Sequence, residues 1–266
     1  MLRRRTSIAI LPLLVGLAFL AASPAEGGDA TSSSCGASAY SYAGLEADRR
    51  AHGVAAALMP VEDPAVSVGH VAGWIGVGGP DAGPGGVAEW LQVGLVAFDG
   101  DQTSRMYYEV TLPGSQPRYV QLGSSVAPGE RHRFAVLETR TRHSWWRVWV
   151  DRKAVSAPIH LPGSHGNWHP QAVAENWNGG KGACNAYDYR FGNVQLARRA
   201  GGAWRPLKSS YIFHDAGYEI VQTSRAPRSF LATSVLKPAV VRQTAAAAAA
   251  PADAAAPADA GAAVSP

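Results

Sequence analysis

The chain has 266 residues, of which 47% are hydrophobic and 17% are charged, and its formal net charge is +4. Three of the basic residues lie at positions 3–5, and beyond residue 25 there remain 21 basic residues against 20 acidic ones. This balance gives no support to a nucleic-acid partner or to an anionic membrane surface, since both require an excess of positive charge.

The first 25 residues have the pattern of a secretory signal peptide. Arg3, Arg4 and Arg5 precede an apolar run over 8–22, and Ser23-Pro24-Ala25 offers small residues for cleavage. The apolar run of about 15 residues is shorter than the roughly 20 that a transmembrane helix needs. We therefore predict a secreted, extracellular protein that has no membrane attachment after the signal peptide is removed.

Composition divides the rest of the chain into three parts. We assign residues 26–50 to a short N-terminal segment, 51–240 to a folded domain and 241–266 to a disordered tail. The tail consists largely of Ala and Pro, so it offers almost nothing that can be buried. A stretch of about 200 residues is long enough to bury one core. We expect this domain to be a monomer.

Only two cysteines occur, Cys35 and Cys184, and both lie in the part that is expected to be exported. Because an export route permits disulfide formation, we predict a bridge between them. Two cysteines so far apart do not suggest a zinc site.

Short alternating runs dominate the folded part, and they are separated by turns rich in Gly and Pro. We predict strands over residues 52–58, 70–77, 89–98, 105–112, 118–122, 131–139, 144–150, 172–176, 187–196 and 211–214. Many short strands without intervening helices indicate an all-β fold, namely a two-sheet antiparallel β-sandwich.

Alternation along each strand also predicts which side chains share a face of a sheet. When the apolar faces are packed together, one set of polar and aromatic side chains is left on the opposite side: Trp74, Gln92, Tyr107, Glu109 and Glu175. The alternation alone leaves two interpretations open, because these residues could be outward-facing polar positions or parts of one functional site.

The order of these strands resembles the glutamic peptidase (eqolisin) family, whose members are secreted acid endopeptidases with a concanavalin A-like jelly-roll sandwich. The strand Trp74-Ile75-Gly76-Val77-Gly78 is similar to the family's Trp-x-Gly-x-Asp, although Gly78 stands where the family has Asp. Further similar motifs follow in the same order: Leu91-Gln92-x-Gly94, Tyr107-Tyr108-Glu109, the turn 126–130, Ala174-Glu175 and Tyr189-x-Phe191-Gly192-x-Val194.

The resemblance implies a catalytic dyad of Gln92 and Glu175. Glu175 would act as general base toward a water molecule and then as general acid toward the leaving amine. The amide of Gln92 would donate to the developing oxyanion. The resemblance further implies that Trp74, Tyr107 and Glu109 border the groove for a polypeptide substrate.

Two other functions fit the same residues. Glu109 and Glu175 could be the paired carboxylates of a glycoside hydrolase that acts on an extracellular polysaccharide. Alternatively, the domain could be a non-catalytic carbohydrate- or wall-binding module. In that case Trp145 and Trp149, which share a face of one predicted strand, would stack on sugar rings.

A histidine-rich stretch lies between Ile159 and Pro170. His165 and His169 are four residues apart, as in metal-binding helices, but Gly166 and the flanking prolines argue against a helix here. We therefore interpret the stretch as a loop and predict neither a metal ion nor any other cofactor.

Overall fold

The computed structural model describes residues 40–181 and 185–235. The predicted signal peptide, Cys35, Cys184 and the predicted Ala/Pro tail lie outside these residues. In the described part of the chain, no helix has the length and apolar character needed to cross a bilayer.

The described residues form strands joined by turns. In chain order the strands are β1 Tyr40–Ala47, β2 Gly53–Pro60, β3 His70–Gly79, β4 Glu89–Phe98, β5 Ser104–Thr111, β6 Arg118–Val126, β7 His132–Glu138, β8 Trp145–Val150, β9 Lys153–Ala154, β10 Ile159–His160, β11 Gln171–Trp177, β12 Asp188–Arg199, β13 Gly202–Pro206, β14 Ser210–His214, β15 Tyr218–Gln222 and β16 Phe230–Ser234.

These strands make two antiparallel sheets. The first has seven strands in the order β14-β1-β11-β3-β4-β5-β6. The second has nine, with the main order β10-β8-β7-β2-β12-β16-β15, while β13 pairs with β12 and β9 with β8. The predicted all-β sandwich is therefore confirmed.

The core lies between the sheets and follows the alternation predicted from the sequence. In β4, the side chains of Leu91, Val93 and Leu95 are fully buried in this core. In β8, Trp146 and Val148 are buried in it, whereas the intervening residues of that strand face outward and are half-buried. Burial of such apolar faces contributes about 25 cal/mol per Å², and this fixes which face of each strand is left for a functional site.

The structure contains six strands that were not predicted: β1, β9, β10, β13, β15 and β16. Strand β1 matters most for the site, because it pairs with β11 and sets Tyr42 directly beside Glu175. The seven-stranded sheet thus begins at Tyr40, within the segment 26–50 that was assigned outside the sandwich. The polar and aromatic residues Tyr40, Ser41 and Tyr42 precede the alternating Ala43, Leu45 and Ala47, so the periodic signal is weaker than in the Val- and Leu-rich strands.

Candidate active site

The five predicted site residues lie on the side of the seven-stranded sheet that faces away from the core. Strands β11, β3, β4 and β5 carry them and are consecutive neighbours in the sheet. Gln92 and Glu109 are direct cross-strand partners, and Gly76 lies opposite Gln92 on its other side. Trp74 pairs with Val173, two residues before Glu175.

A cleft of about 620 Å³ opens on this face. It lies within the range of roughly 300–1,000 Å³ that is typical of ligand sites. Its lining includes Trp74, Gln92, Glu109 and Glu175. Tyr107 is only 2% exposed and lies beneath these residues. It therefore supports the cleft from below, whereas the prediction was that it borders the substrate groove.

The carboxylate of Glu175 is held by two side-chain donors. Trp74 Nε1 donates to Oε2 at 2.9 Å, and His70 Nε2 lies 3.1 Å from Oε1. The side chain of Glu175 is 10% exposed. A carboxylate has about four lone-pair sites, so two donors fix its orientation and still leave lone pairs for a water molecule in the cleft.

The side chain of Gln92 is fixed from below. Its Nε2 donates to the hydroxyl of Tyr107 at 3.0 Å. Burial raises the pKa of Tyr107 well above its usual value, and the charges of Glu175 and Glu109 add to this effect. Tyr107 therefore stays protonated, and since a primary amide carries two N–H bonds, Gln92 keeps one for a ligand.

Glu109 is the second carboxylate of the cleft. Burial raises its pKa above the usual value, the hydrogen bond from Trp90 opposes this shift, and the negative charge of Glu175 adds to it. Trp90 Nε1 donates to Glu109 Oε1 at 3.0 Å. The cleft thus contains two carboxylates: that of Glu109, whose pKa is raised, and that of Glu175, which Trp74 and His70 hold in place.

Several lining residues were not among the predicted site residues. His70 lies at the start of β3, and its parity with Trp74 would have assigned it to the same face. Tyr40, Tyr42 and Phe213 also line the cleft, and they belong to β1 and β14 at the edge of the sheet. No local pattern links these edge strands to β11, because their pairing depends on residues more than a hundred positions away.

Gly78 also lines the cleft, and its backbone explains why no other residue stands there. Its φ is +92°, and a Cβ atom would lie 2.2 Å from the carbonyl oxygen of Glu89. The left-handed conformation costs L-residues about 1–2 kcal/mol. An Asp at position 78 would therefore require the surrounding backbone to shift.

The aromatic face of β8 is remote from the cleft, on the nine-stranded sheet. Trp145 already has partners there, since it stacks on His160 with ring centroids 5.0 Å apart and the guanidinium of Arg142 lies 4.0 Å from its ring centroid. Trp149 is half-buried, and its indole nitrogen has no hydrogen-bond partner among the described residues.

His165 and His169 point to different neighbours, as expected for a loop. His169 Nδ1 bonds to the carbonyl oxygen of Ala47 at 2.9 Å. His165 Nδ1 lies 2.8 Å from Glu138 Oε1, outside the cleft.

No protein-family model matches the chain, and no curated protein matches it. Among solved structures, two crystal structures of scytalidoglutamic peptidase with transition-state analogues give TM-scores of 0.52 and 0.54 at 14% identity. Each covers 73% of this chain and 98% of the peptidase chain. An eqolisin in complex with the tripeptide Ala-Ile-His gives a TM-score of 0.47 at 16% identity over 74% and 98% of the two chains. At these identities the similarity shows a shared fold.

Proposed function

We propose that this protein is a secreted, eqolisin-like glutamic endopeptidase in which Glu175 and Gln92 activate water for peptide hydrolysis. The observation that carries the proposal is the arrangement of these two residues in one cleft. The carboxylate of Glu175 is oriented by Trp74 and His70, and the amide of Gln92 is oriented by Tyr107. The shared fold supports the proposal, because the two similar solved structures with TM-scores above 0.5 are peptidases.

The proposed reaction begins at a water molecule bound to a free lone pair of Glu175. Glu175 takes a proton from this water, and the water oxygen attacks the carbonyl carbon of the scissile peptide. The protonated Glu175 then gives the proton to the leaving amine as the C–N bond breaks. The side chain thus returns to its starting state in each cycle.

Gln92 would stabilise the negative charge that develops on the carbonyl oxygen. Its second N–H bond is available for this, and the hydrogen bond to Tyr107 keeps the amide from rotating. A preorganised neutral donor of this kind typically contributes about 3 kcal/mol to transition-state stabilisation.

The substrate would be an extended segment of polypeptide. The cleft is long enough to include residues from β1 and β14 at one side and Trp90 at the other. Tyr40 and Phe213 are partly exposed in it, at 45% and 36%. Such aromatic side chains favour large apolar side chains in a bound peptide.

The test is digestion of a denatured protein between about pH 3 and pH 6, comparing the unmodified protein with Glu175→Gln and Gln92→Leu. Glu219→Gln serves as a matched control, because Glu219 is exposed on β15 in the other sheet. We expect cleavage by the unmodified protein and the control, and strong loss in both cleft variants. Equal cleavage by all four proteins, or none by any of them, would refute the proposal.

A glycoside hydrolase is the second candidate, favoured by one observation. Glu109 and Glu175 face the same cleft, and the pKa of Glu109 is raised by burial, as suits a general acid. This candidate predicts release of reducing sugars from a polysaccharide, with loss in both Glu109→Gln and Glu175→Gln. A peptidase would retain protein cleavage in Glu109→Gln.

A further inference from the structure

A second group of titratable side chains lies outside the cleft, at the edge of the nine-stranded sheet. It consists of His52, Glu138, His143 and His165, which we call the histidine–glutamate cluster. His52 precedes β2, Glu138 ends β7, His143 lies in the turn before β8, and His165 lies between β10 and β11. The proposed hydrolytic reaction uses none of these residues.

Glu138 is the centre of the histidine–glutamate cluster and is completely buried. His52 Nδ1 donates to Oε2 at 2.6 Å, and the amide of Ser144 donates to Oε1 at 2.6 Å. Among the described residues, the ion-pair partners of this carboxylate are histidines, with no Lys or Arg. A buried carboxylate requires a compensating positive charge, and here it would have to come from the imidazoles or from a bound cation.

The Nδ1 atom of His165 faces two further potential ligand atoms. It lies 2.8 Å from Glu138 Oε1 and 3.3 Å from His143 Nδ1. A cation bound among these atoms would receive a lone pair from each of them.

The donor set fits a divalent transition metal. Ligand atoms of His52, Glu138 and His165 all lie within 4.8 Å of one another. With bond lengths of about 2.0–2.2 Å, tetrahedral ligand atoms around zinc are roughly 3.3 Å apart. The present separations of 2.6 and 2.8 Å require only small side-chain rotations to reach this spacing. Imidazole nitrogen and carboxylate oxygen are ligands that zinc, cobalt and nickel accept.

We propose that the histidine–glutamate cluster binds one divalent transition-metal ion of the zinc class, with His52, Glu138 and His165 as ligands and His143 beside them as the fourth. The site would be structural. It would tie the segment between β10 and β11 to the ends of β2 and β7. That segment also donates from Trp168 Nε1 to the carbonyl oxygen of Ala82, so the metal would brace the connection leading into β11.

The experiment is titration of the purified, chelator-treated protein with Zn²⁺ by calorimetry at about pH 7.5, with Co²⁺ absorption spectroscopy as a second readout. We expect one equivalent to bind and to raise the temperature of thermal unfolding. Binding should weaken as the pH falls, because protons compete with the metal ion for its ligands. Neither readout depends on hydrolytic activity.

The variants are His165→Gln and Glu138→Gln, with His160→Gln as the matched control, since His160 stacks on Trp145 outside the cluster. His165 has a side chain that is 47% exposed, so its replacement should leave the fold intact. We expect at least about tenfold weaker binding in His165→Gln, given that a metal ligand is removed, and unchanged binding in the control.

Two results would overturn the proposal. One is no saturable binding of Zn²⁺ or Co²⁺ by the unmodified protein. The other is binding that persists unchanged in His165→Gln. Binding that persists in His165→Gln would indicate that the metal ion is held instead near His132, which bonds to the exposed side chains of Glu130 and Asp151.

Discussion

Trp74 donates its indole hydrogen to the carboxylate of Glu175, with Nε1 and Oε2 2.9 Å apart, although the two residues are separated by 101 positions in the chain. They lie on adjacent strands, β3 and β11, and both are at least nine-tenths buried. The indole therefore acts as a positioning group for the proposed base.

Replacing Trp74 by Phe keeps an aromatic ring but removes the N–H donor together with the five-membered ring of the indole. A hydrogen bond to a charged group is worth about 1.5–3 kcal/mol, so we expect kcat/KM for a fluorogenic peptide to fall roughly 10- to 100-fold. The matched control is Trp90→Phe, which removes the donor to Glu109. For a peptidase the control should lose much less activity, and an equal loss in both variants would contradict the assignment of Glu175 as base.

His70 supplies the other contact of Glu175, and two substitutions separate its donor from its bulk. His70→Leu removes the donor at Oε1, whereas His70→Gln keeps an N–H group on a side chain of similar reach. We expect about a tenfold fall in kcat for Leu, with partial recovery for Gln and little change in KM. Equal activity of the two variants would show that the contact has no positioning role.

Gly78→Asp should destabilise the protein, because Gly78 has a φ of +92° and no room for a Cβ atom. The matched control is Gly79→Asp, since a Cβ atom at Gly79 would meet nothing within 4 Å. We expect the free energy of unfolding in urea to fall by at least about 1–2 kcal/mol for Gly78→Asp, and by much less for the control. Similar values for the two variants would contradict the backbone argument.

Glu89 is completely buried, and its Oε1 has no hydrogen-bond partner among the described residues. Burial raises the pKa of Glu89, and the hydrogen bond from the Gly163 amide opposes this only in part. The folded-state pKa thus lies above the unfolded value of about 4.3, and stability is lost as the pH rises through the folded-state pKa. Glu89→Gln should therefore increase the free energy of unfolding near neutral pH.

At a pH below the unfolded pKa of about 4.3, Glu89 is protonated and is as neutral as the Gln that replaces it. The effect of Glu89→Gln on the free energy of unfolding should therefore largely disappear. Urea unfolding of the two proteins at neutral and acidic pH measures the difference. An effect of equal size at both pH values would exclude ionisation of Glu89 as its cause.

The substitution Glu138→Gln should have the opposite effect on stability from Glu89→Gln. Burial raises the pKa of Glu138, but hydrogen bonds from two histidines and a backbone amide outweigh it, so the pKa lies below its usual value. Its contribution to stability is present above the unfolded pKa and is lost as the pH falls through the folded-state pKa. Glu138→Gln should lower the free energy of unfolding at neutral pH and have little effect in strong acid.

Glu89 and Glu138 are both fully buried, but their replacement by Gln should change the free energy of unfolding in opposite directions. Urea unfolding of both variants over the same pH range measures this difference. Stabilisation by Glu138→Gln at neutral pH would contradict the role of its hydrogen bonds. The measurement should be made with chelator present, so that a bound metal does not contribute to the difference.

Much of the architecture could be predicted from the sequence, because sheets alternate their side chains strictly. In β4, Leu91 and Val93 lie in the core and Gln92 lies on the opposite face, as alternation along the strand predicts. Burial of the apolar face decides the register, since a shift by one residue would expose Leu91 and Val93 and bury Gln92. The same rule predicts that Trp74 and Glu175 share one side of the sheet.

The position of β1 could not be predicted in this way. Its pairing with β11 and β14 joins segments far apart in the chain, and nothing in its own sequence indicates these partners. For the same reason Tyr40 and Tyr42 were absent from the predicted site. The histidine–glutamate cluster was missed because His52, Glu138 and His165 come from three segments far apart in the chain, and the spacing within one segment does not indicate such a contact.

Alternation is a local property of each strand, and for this reason the amino-acid sequence alone indicates a two-sheet sandwich and the side chains that lie outside its core. Which of those side chains contact one another depends on the tertiary structure. Strand order places His70 and Trp74 on the two oxygens of Glu175, and pairing with Trp90 leaves no room for a Cβ atom at position 78. Both facts depend on pairing between separate strands. Contacts between those strands stabilise the pairing, and these contacts cannot be deduced from the residues of one strand.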